Sequence, residues 1–260
     1  MLISIASKLS LLLILLCSFN SYSNDLKDFV ESSSRNEANV LRDVYRNPFE
    51  TLSFFGLESN MSVVELSPGG GWYTEILAPY LKESGNLIVA HFNPDLGGYY
   101  EKSRRRFEEK IKDKEIFEAM TIVNLDAQFS KAGEIDAVLT FRNLHNWIGP
   151  QLDVILNSAY SALKSGGILG VVEHRAEPGT SIEAMKKSGY VTEEWAISEV
   201  EKKGFVLLGK SDLNANPRDT KNHPRGVWTL PPSMAMKEQD KKKYEAIGES
   251  DRMTLLFQKP

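Results

Sequence analysis

Cysteine is almost absent from this chain: one, Cys17, stands among 260 residues. It falls in an N-terminal stretch where Lys8 precedes an apolar run, Leu9 to Leu16, and Ser21 and Ser23 offer small residues for cleavage. That order of charged, apolar and small residues reads as a secretory signal over residues 1–23, giving a periplasmic or secreted protein. The other reading is an uncleaved membrane anchor, although the apolar run is short for a bilayer-spanning helix. Leu15 and Leu16 stand where a lipid-attachment signal wants small residues, so Cys17 is not read as a lipidation site. Once cleaved, the chain has no cysteine, which excludes disulfides, a thiol nucleophile and a cysteine metal site.

Basic excess is missing too. Lys and Arg number 31 against 35 Asp and Glu, a net charge of −4, which argues against a nucleic-acid partner. The clusters Lys102 to Lys112 and Lys237 to Lys243 are interleaved with acids and read as solvated helix faces. There is no solenoid repeat. What remains, residues 24–260, is enough for a single sizeable α/β domain with an ordinary apolar share.

Hydrophobic periodicity places the elements. Asn24 to Asn39 is polar and serine-rich and reads as a flexible lead-in, followed by helical spacing over Val40 to Arg46. Asn47-Pro48 reads as a helix cap with proline at the first helical position. Strands are expected at Ser62 to Leu66, Leu87 to Phe92, Met120 to Asn124, Ile135 to Phe141, Ile168 to Glu173, Phe205 to Lys210 and Met253 to Gln258. Helical spacing lies between them, with Lys164-Ser165-Gly166-Gly167 as a turn before strand five. Such alternation means a mainly parallel sheet covered on both faces, with ligands beyond the strands' carboxyl ends. Two connections are long: Arg175 to Tyr190, and an insertion at about 214–252. Each reads as a lid or specificity loop, or as decoration.

The densest signal is V-V-E-L-S-P-G-G-G-W-Y-T, from Val63 to Thr74. An apolar strand carrying Glu65 turns through Gly69, Gly70 and Gly71 into a helix, so that bare backbone lets a ligand approach the helix's first amides. A second strand, Gly85 to Pro94, follows at the spacing of a strand–helix–strand unit, roughly thirty residues.

This turn resembles motif I of the class I S-adenosylmethionine-dependent methyltransferases. The likeness extends to R-D-V-Y-R-N-P-F-E-T-L-S-F-F-G-L, L-K-S-G-G, V-E-H-R-A-E-P-G and N-P-R-D, which together look like a family of predicted, mostly exported bacterial methyltransferases. The resemblance implies a Rossmann-like class I methyltransferase fold: a seven-stranded, mainly parallel sheet with helices on both faces and an antiparallel last strand. It implies S-adenosyl-L-methionine as cofactor, with Glu65, Ser67, Gly69, Gly70 and Gly71 around its methionine part. The usual ribose-holding acid of strand two falls at His91, whose imidazole takes fewer hydroxyls than a carboxylate. Asp126 and Ala127 fall where the adenine amino group is bound, and Arg142 and Asn143 would close the pocket. His91 read alone is also an ordinary buried histidine, and Asp126 a helix cap. A nicotinamide site is disfavoured, because Thr74 replaces the third small residue of that fingerprint and no acid replaces His91.

Methyl transfer chiefly needs donor and acceptor aligned and water excluded, with a base where the acceptor still holds its proton. His145 in F-R-N-L-H-N-W and His174 in V-E-H-R follow adjacent strands and are the candidate bases, with Glu173 beside them. Structural hydrogen bonding is the other reading. The pair could also bind a metal with Glu173 or Asp219, although no helical H-x-x-x-H spacing appears, and no metal is expected. Arg175, Arg218 and Arg225 could hold an acidic substrate, and Trp147, Trp195 and Trp228 could line a pocket or fill the core. The functional expectation is a methyltransferase acting on a small-molecule acceptor; the alternative is a non-catalytic ligand-binding protein on the same scaffold.

Overall fold

The computed structural model of the protein describes residues 26–260. The secretory-signal reading of residues 1–23 lies outside the described residues. Seven strands, β1 (Ser62–Leu66), β2 (Asn86–His91), β3 (Thr121–Asn124), β4 (Ile135–Phe141), β5 (Leu163–His174), β6 (Val206–Ser211) and β7 (Arg252–Gln258), form one sheet in the order β3-β2-β1-β4-β5-β7-β6. Pairing is parallel from β3 across to β5, and β7 runs antiparallel between β5 and β6. The expected mainly parallel sheet with an antiparallel last strand is therefore present.

Strand periodicity divides the core. Val64, Leu66, Ile88 and Val138 face one layer and Val63, Val89, Ala137 and Leu139 the other, because successive side chains point to opposite faces. The second face is covered by α3 (Pro48–Phe54), α4 (Thr74–Leu81) and α5 (Gly98–Ile111), which bury Leu52, Ile76, Leu77 and Phe107. The first is covered by α6 (Leu144–Trp147), α7 (Pro150–Ala162), α8 (Ile182–Ser188) and α9 (Glu193–Glu201), through Leu144, Ile155, Met185 and Val200. Each such side chain stabilises the fold by about 1.5–3 kcal/mol. Among the described residues no helix is long and apolar enough to cross a membrane.

Four local expectations are corrected. The polar lead-in is packed, not flexible: residues 26–30 form a helical turn that buries Leu26 and Val30 and sets Phe29 against Tyr80, ring centroids 5.6 Å apart. Leu26, Phe29 and Val30 stand at helical spacing, and that apolar face outweighs the polar composition. It leads into α1 (Glu37–Val40) and α2 (Asp43–Arg46), two short helices where one was expected. Asn47 stands at the N-cap of α3 with Pro48 at its start, as expected, but its side chain does not cap the helix and instead donates from Nδ2 to the Leu213 carbonyl at 2.7 Å. Strand β5 starts earlier than expected; Leu163 pairs Ile135 and Ile168 pairs Ala137, so Lys164 to Gly167 bulge within the ladder. The long connection before β7 contains α10 (Lys241–Ile247) and a 3₁₀ turn, Gly226–Thr229.

Candidate active site

In the strand order, β1 lies between β2 and β4, so the chain winds outward in both directions from this point and leaves a crevice above the carboxyl ends of β1 and β4. A cavity of about 420 Å³ opens there. One wall is the glycine turn: Ser67, Pro68, Gly69, Gly70 and Trp72. Gly69 and Gly71 have φ of 60° and 74°, the left-handed region that glycine adopts without penalty. A Cβ on Gly69 or Gly70 would meet nothing within 4 Å, so this backbone faces open space, whereas one on Gly71 would stand 3.0 Å from Phe107.

Two non-glycine residues at the mouth are also left-handed, Ser67 at φ 48° and Arg142 at φ 63°. Each such residue costs about 1–2 kcal/mol and persists only where its surroundings hold it. Here the holding group is Asn143, whose Nδ2 lies 3.2 Å from the carbonyls of both Leu66 and Ser67. The Arg142 amide donates to the Val172 carbonyl at 2.7 Å. These bonds tie the ends of β1, β4 and β5 together under the cavity.

Glu65 is 1% exposed and accepts a 2.6 Å hydrogen bond from Thr74 Oγ1 at the start of α4. Burial raises its pKa to about 7 against the effect of that bond. His91 is 1% exposed and its Nδ1 accepts from the Phe92 amide at 2.8 Å. Its proton is therefore on Nε2, which is buried and faces the Gly69 backbone, a contact that favours the protonated ring. Burial, then the Arg104 guanidinium, push its pKa down to about 4, so the ring is neutral.

The opposite wall carries the two histidines. His145, on α6, and His174, at the end of β5, have ring centroids 5.3 Å apart, and both line the cavity. Glu173 lies beneath them, fully buried: its Oε1 accepts from the His174 amide at 2.7 Å and stands 3.1 Å from His145 Nδ1, and its Oε2 accepts from the His145 amide at 3.2 Å. Burial, then the neighbouring His145, lower the His174 pKa well below the ordinary value. Its Nδ1 is 2.5 Å from Ser250 Oγ. One ligand atom from each of His145, Glu173 and His174 lies within 4.8 Å of the others, a set that could take a divalent cation. Glu173, however, is already engaged by three N–H groups, so a cation would have to displace them. Asp219 is not part of this set; it accepts from Tyr190, His223 and the Asp251 amide.

No protein-family model and no curated protein matches the chain. Solved structures do resemble it. A SAM-dependent methyltransferase from Aquifex aeolicus, 14% identical, superposes with a TM-score of 0.57 over 92% of this chain and 98% of its own. The [4+2]-cyclase SpnF, also 14% identical, gives 0.60 over 88% of this chain and 86% of its own. Geranyl diphosphate methyltransferase, solved in complex with SAM, is 10% identical and gives 0.59 over 89% and 94%. The chain has the Rossmann-like methyltransferase fold.

Within that methyltransferase fold the expected residues divide into two groups. Ser67, Gly69, Gly70, Arg142, Asn143, His145 and His174 line the cavity. Glu65, Gly71, His91, Asp126 and Ala127 do not. Asp126 is exposed beside β3 with Asn93 Nδ2 3.2 Å away, and no helix follows it to be capped. The Ala127 amide donates to the Asn124 carbonyl, which makes this segment a tight turn.

The insertion builds the third wall through Val227, Trp228, Pro231, Pro232, Ser233, Glu249 and Ser250. Trp147 is instead core and Trp195 packs against it. Arg42 and Arg46, not expected at the site, line the cavity, while Arg175, Arg218 and Arg225 do not. A signal existed: R-D-V-Y-R spaces the two arginines by four, on one helix face.

Proposed function

We propose that the protein is an S-adenosylmethionine-dependent methyltransferase that works after export and acts on a small-molecule acceptor. One observation carries the reading: the open glycine turn of motif I and His145, whose Nδ1 is held by the buried Glu173, line one cavity. One further observation suits the cofactor: Ser67 Oγ, at the turn and in the cavity lining, is a buried polar atom lacking a partner among the described residues, of the kind that ligand hydroxyl or amino groups satisfy.

When bound, S-adenosylmethionine supplies an activated methyl group that needs no further activation by the protein. The chain's own part is positioning. The backbone of Gly69 and Gly70 would receive the methionine end, with the start of α4 favouring its carboxylate. His91 at the end of β2 and Asp126 at the end of β3, neither of them in the cavity lining, would meet the ribose and the adenine amino group of a cofactor that extends past the turn. On the acceptor side, Glu173 fixes the proton of His145 on Nδ1, which leaves Nε2 free to take a proton from the acceptor. Trp228 and the proline pair of the insertion exclude water.

Thermal unfolding of residues 24–260 with and without ligand tests the reading. S-adenosylmethionine and S-adenosylhomocysteine should each raise Tm in a saturable way. Absence of a shift at millimolar ligand overturns it.

A further inference from the structure

Three guanidinium groups bond one carboxylate beside the cavity, and that of Arg142 lies near enough to act on its charge. Glu249 Oε1 accepts from Arg42 Nε at 2.7 Å, and Glu249 Oε2 accepts from Arg46 Nε at 3.1 Å and from Arg252 Nη2 at 3.0 Å. Burial works against this carboxylate's ionisation, yet the guanidiniums of Arg252, Arg46, Arg142 and Arg42 hold it down at about 2, so it is charged. Its single charge is shared among more donors than it can satisfy. Arg46, 3% exposed, keeps Nη1 buried with no partner, and Arg42 keeps Nη2 likewise. Arg142 has no hydrogen bond or ion pair from its guanidinium among the described residues, although burial and Arg252 lower its pKa to about 10. Arg42, Arg46 and Arg142 all line the cavity, and among the described residues Glu249 is its only acidic lining residue.

Arg46 is buried and Arg42 and Arg142 are half-buried; uncompensated charge so placed is costly, and guanidinium forks match carboxylate and phosphate oxygens. The methyl donor cannot supply the missing charge. Its carboxylate is outweighed by its own ammonium and sulfonium, so it enters with a net positive charge. Compensation must come from the other occupant of the cavity. We propose that the acceptor is a small molecule bearing a carboxylate or phosphate group, received by Arg42, Arg46 and Arg142, with the reacting atom directed to His145. The left-handed backbone of Arg142 is then the feature that aims an unpaired cation into the site. This deepens the methyltransferase reading and rests on it for the word acceptor.

The test uses residues 24–260 saturated with S-adenosylhomocysteine, and titrates malonate, inorganic phosphate and sodium chloride at matched ionic strength by calorimetry and thermal unfolding. Malonate or phosphate should bind and stabilise where chloride does not, and the stronger of the two identifies the oxyanion class. In Arg142→Met the affinity should fall by roughly tenfold or more. Tm of the anion-free variant should rise, because one uncompensated charge is gone; an arginine with a merely structural role would lower it. Arg42→Gln, at the rim, serves as the second variant should Arg142→Met not fold, and should also weaken the anion. Wild-type stabilisation no greater than that of chloride overturns the proposal, as does unchanged affinity in the variants. Anion binding without S-adenosylhomocysteine binding leaves the oxyanion site standing and removes the methyltransferase reading, so the two failures are told apart.

Discussion

Glu173 Oε1 stands 3.1 Å from His145 Nδ1, and the same carboxylate accepts the backbone N–H groups of both His145 and His174. One buried acid thus sets the tautomer of His145 and the spacing of the two rings, 5.3 Å between centroids. An acid already receiving two amides is an acceptor toward the ring as well, so the ring proton belongs on Nδ1.

Glu173→Gln tests this. The amide keeps one acceptor oxygen and sets an NH2 group where the other stood, so at least one of the three contacts turns donor against donor and the imidazole loses its fixed tautomer. Methyl transfer should fall by about 10²-fold or more, a loss in kcat, while S-adenosylhomocysteine affinity stays within about twofold. Nitrogen NMR should find the His145 proton on Nδ1 in the wild type and redistributed in the variant. An unchanged tautomer would show that Glu173 does not set it.

Glu65 predicts a pH dependence with a definite sign. Its folded pKa of about 7 lies above the ordinary 4.5, so the folded state holds a proton that the unfolded chain releases between these values. Stability is therefore greatest below pH 4.5 as far as this group is concerned, and declines as pH rises to 7, by about 3 kcal/mol in full. Glu65→Gln keeps an acceptor for Thr74 Oγ1 and removes the titration. Urea unfolding should find the variant more stable than wild type at pH 8, with the gap closing by pH 5. A constant gap across that range would place the titration elsewhere.

Much of this was legible in the chain. The run Ile135 to Phe141 was read as a strand with the bounds that β4 has, because seven consecutive residues of a buried parallel strand need no partner to be recognised. The histidines were legible as neighbours because they follow adjacent strands of a parallel sheet. The arginine cluster was not, since Glu249 joins Arg42 and Arg46 across some two hundred residues and no local spacing encodes that. Arg175 was read as a possible substrate cation, yet it pairs with Asp251 and Asp212, partners again set by tertiary contact. The lead-in was misread through its composition, although Leu26, Phe29 and Val30 already carried the helical spacing.

Gly71 separates the backbone role of the turn from its ligand role. With φ at 74° and Phe107 Cε2 3.0 Å from a would-be Cβ, Gly71→Ala meets both a left-handed penalty and a close contact. It should lose about 1–3 kcal/mol of stability. Gly70→Ala has open space and an ordinary φ, so its stability should change by about 1 kcal/mol or less, while its methyl group occupies the cavity and weakens S-adenosylhomocysteine binding. Denaturant unfolding and calorimetry on the two variants read the contrast, and equal stability losses would show that the turn is not shaped as described.

Glu249 gives the opposite pH signature to Glu65. Its pKa of about 2 lies below the ordinary 4.5, so its stabilising contribution is complete above pH 4.5 and is lost as pH falls toward 2. Glu249→Gln removes the one carboxylate among Arg42, Arg46 and Arg252 and leaves their guanidiniums facing each other. Stability at pH 7 should drop by about 3–5 kcal/mol, the usual result of breaking one side of a buried ion cluster. Because the deficit is one of negative charge, malonate or phosphate should recover more stability in this variant than in the wild type. A loss that these anions leave untouched would mean that Glu249 acts through packing and not through charge.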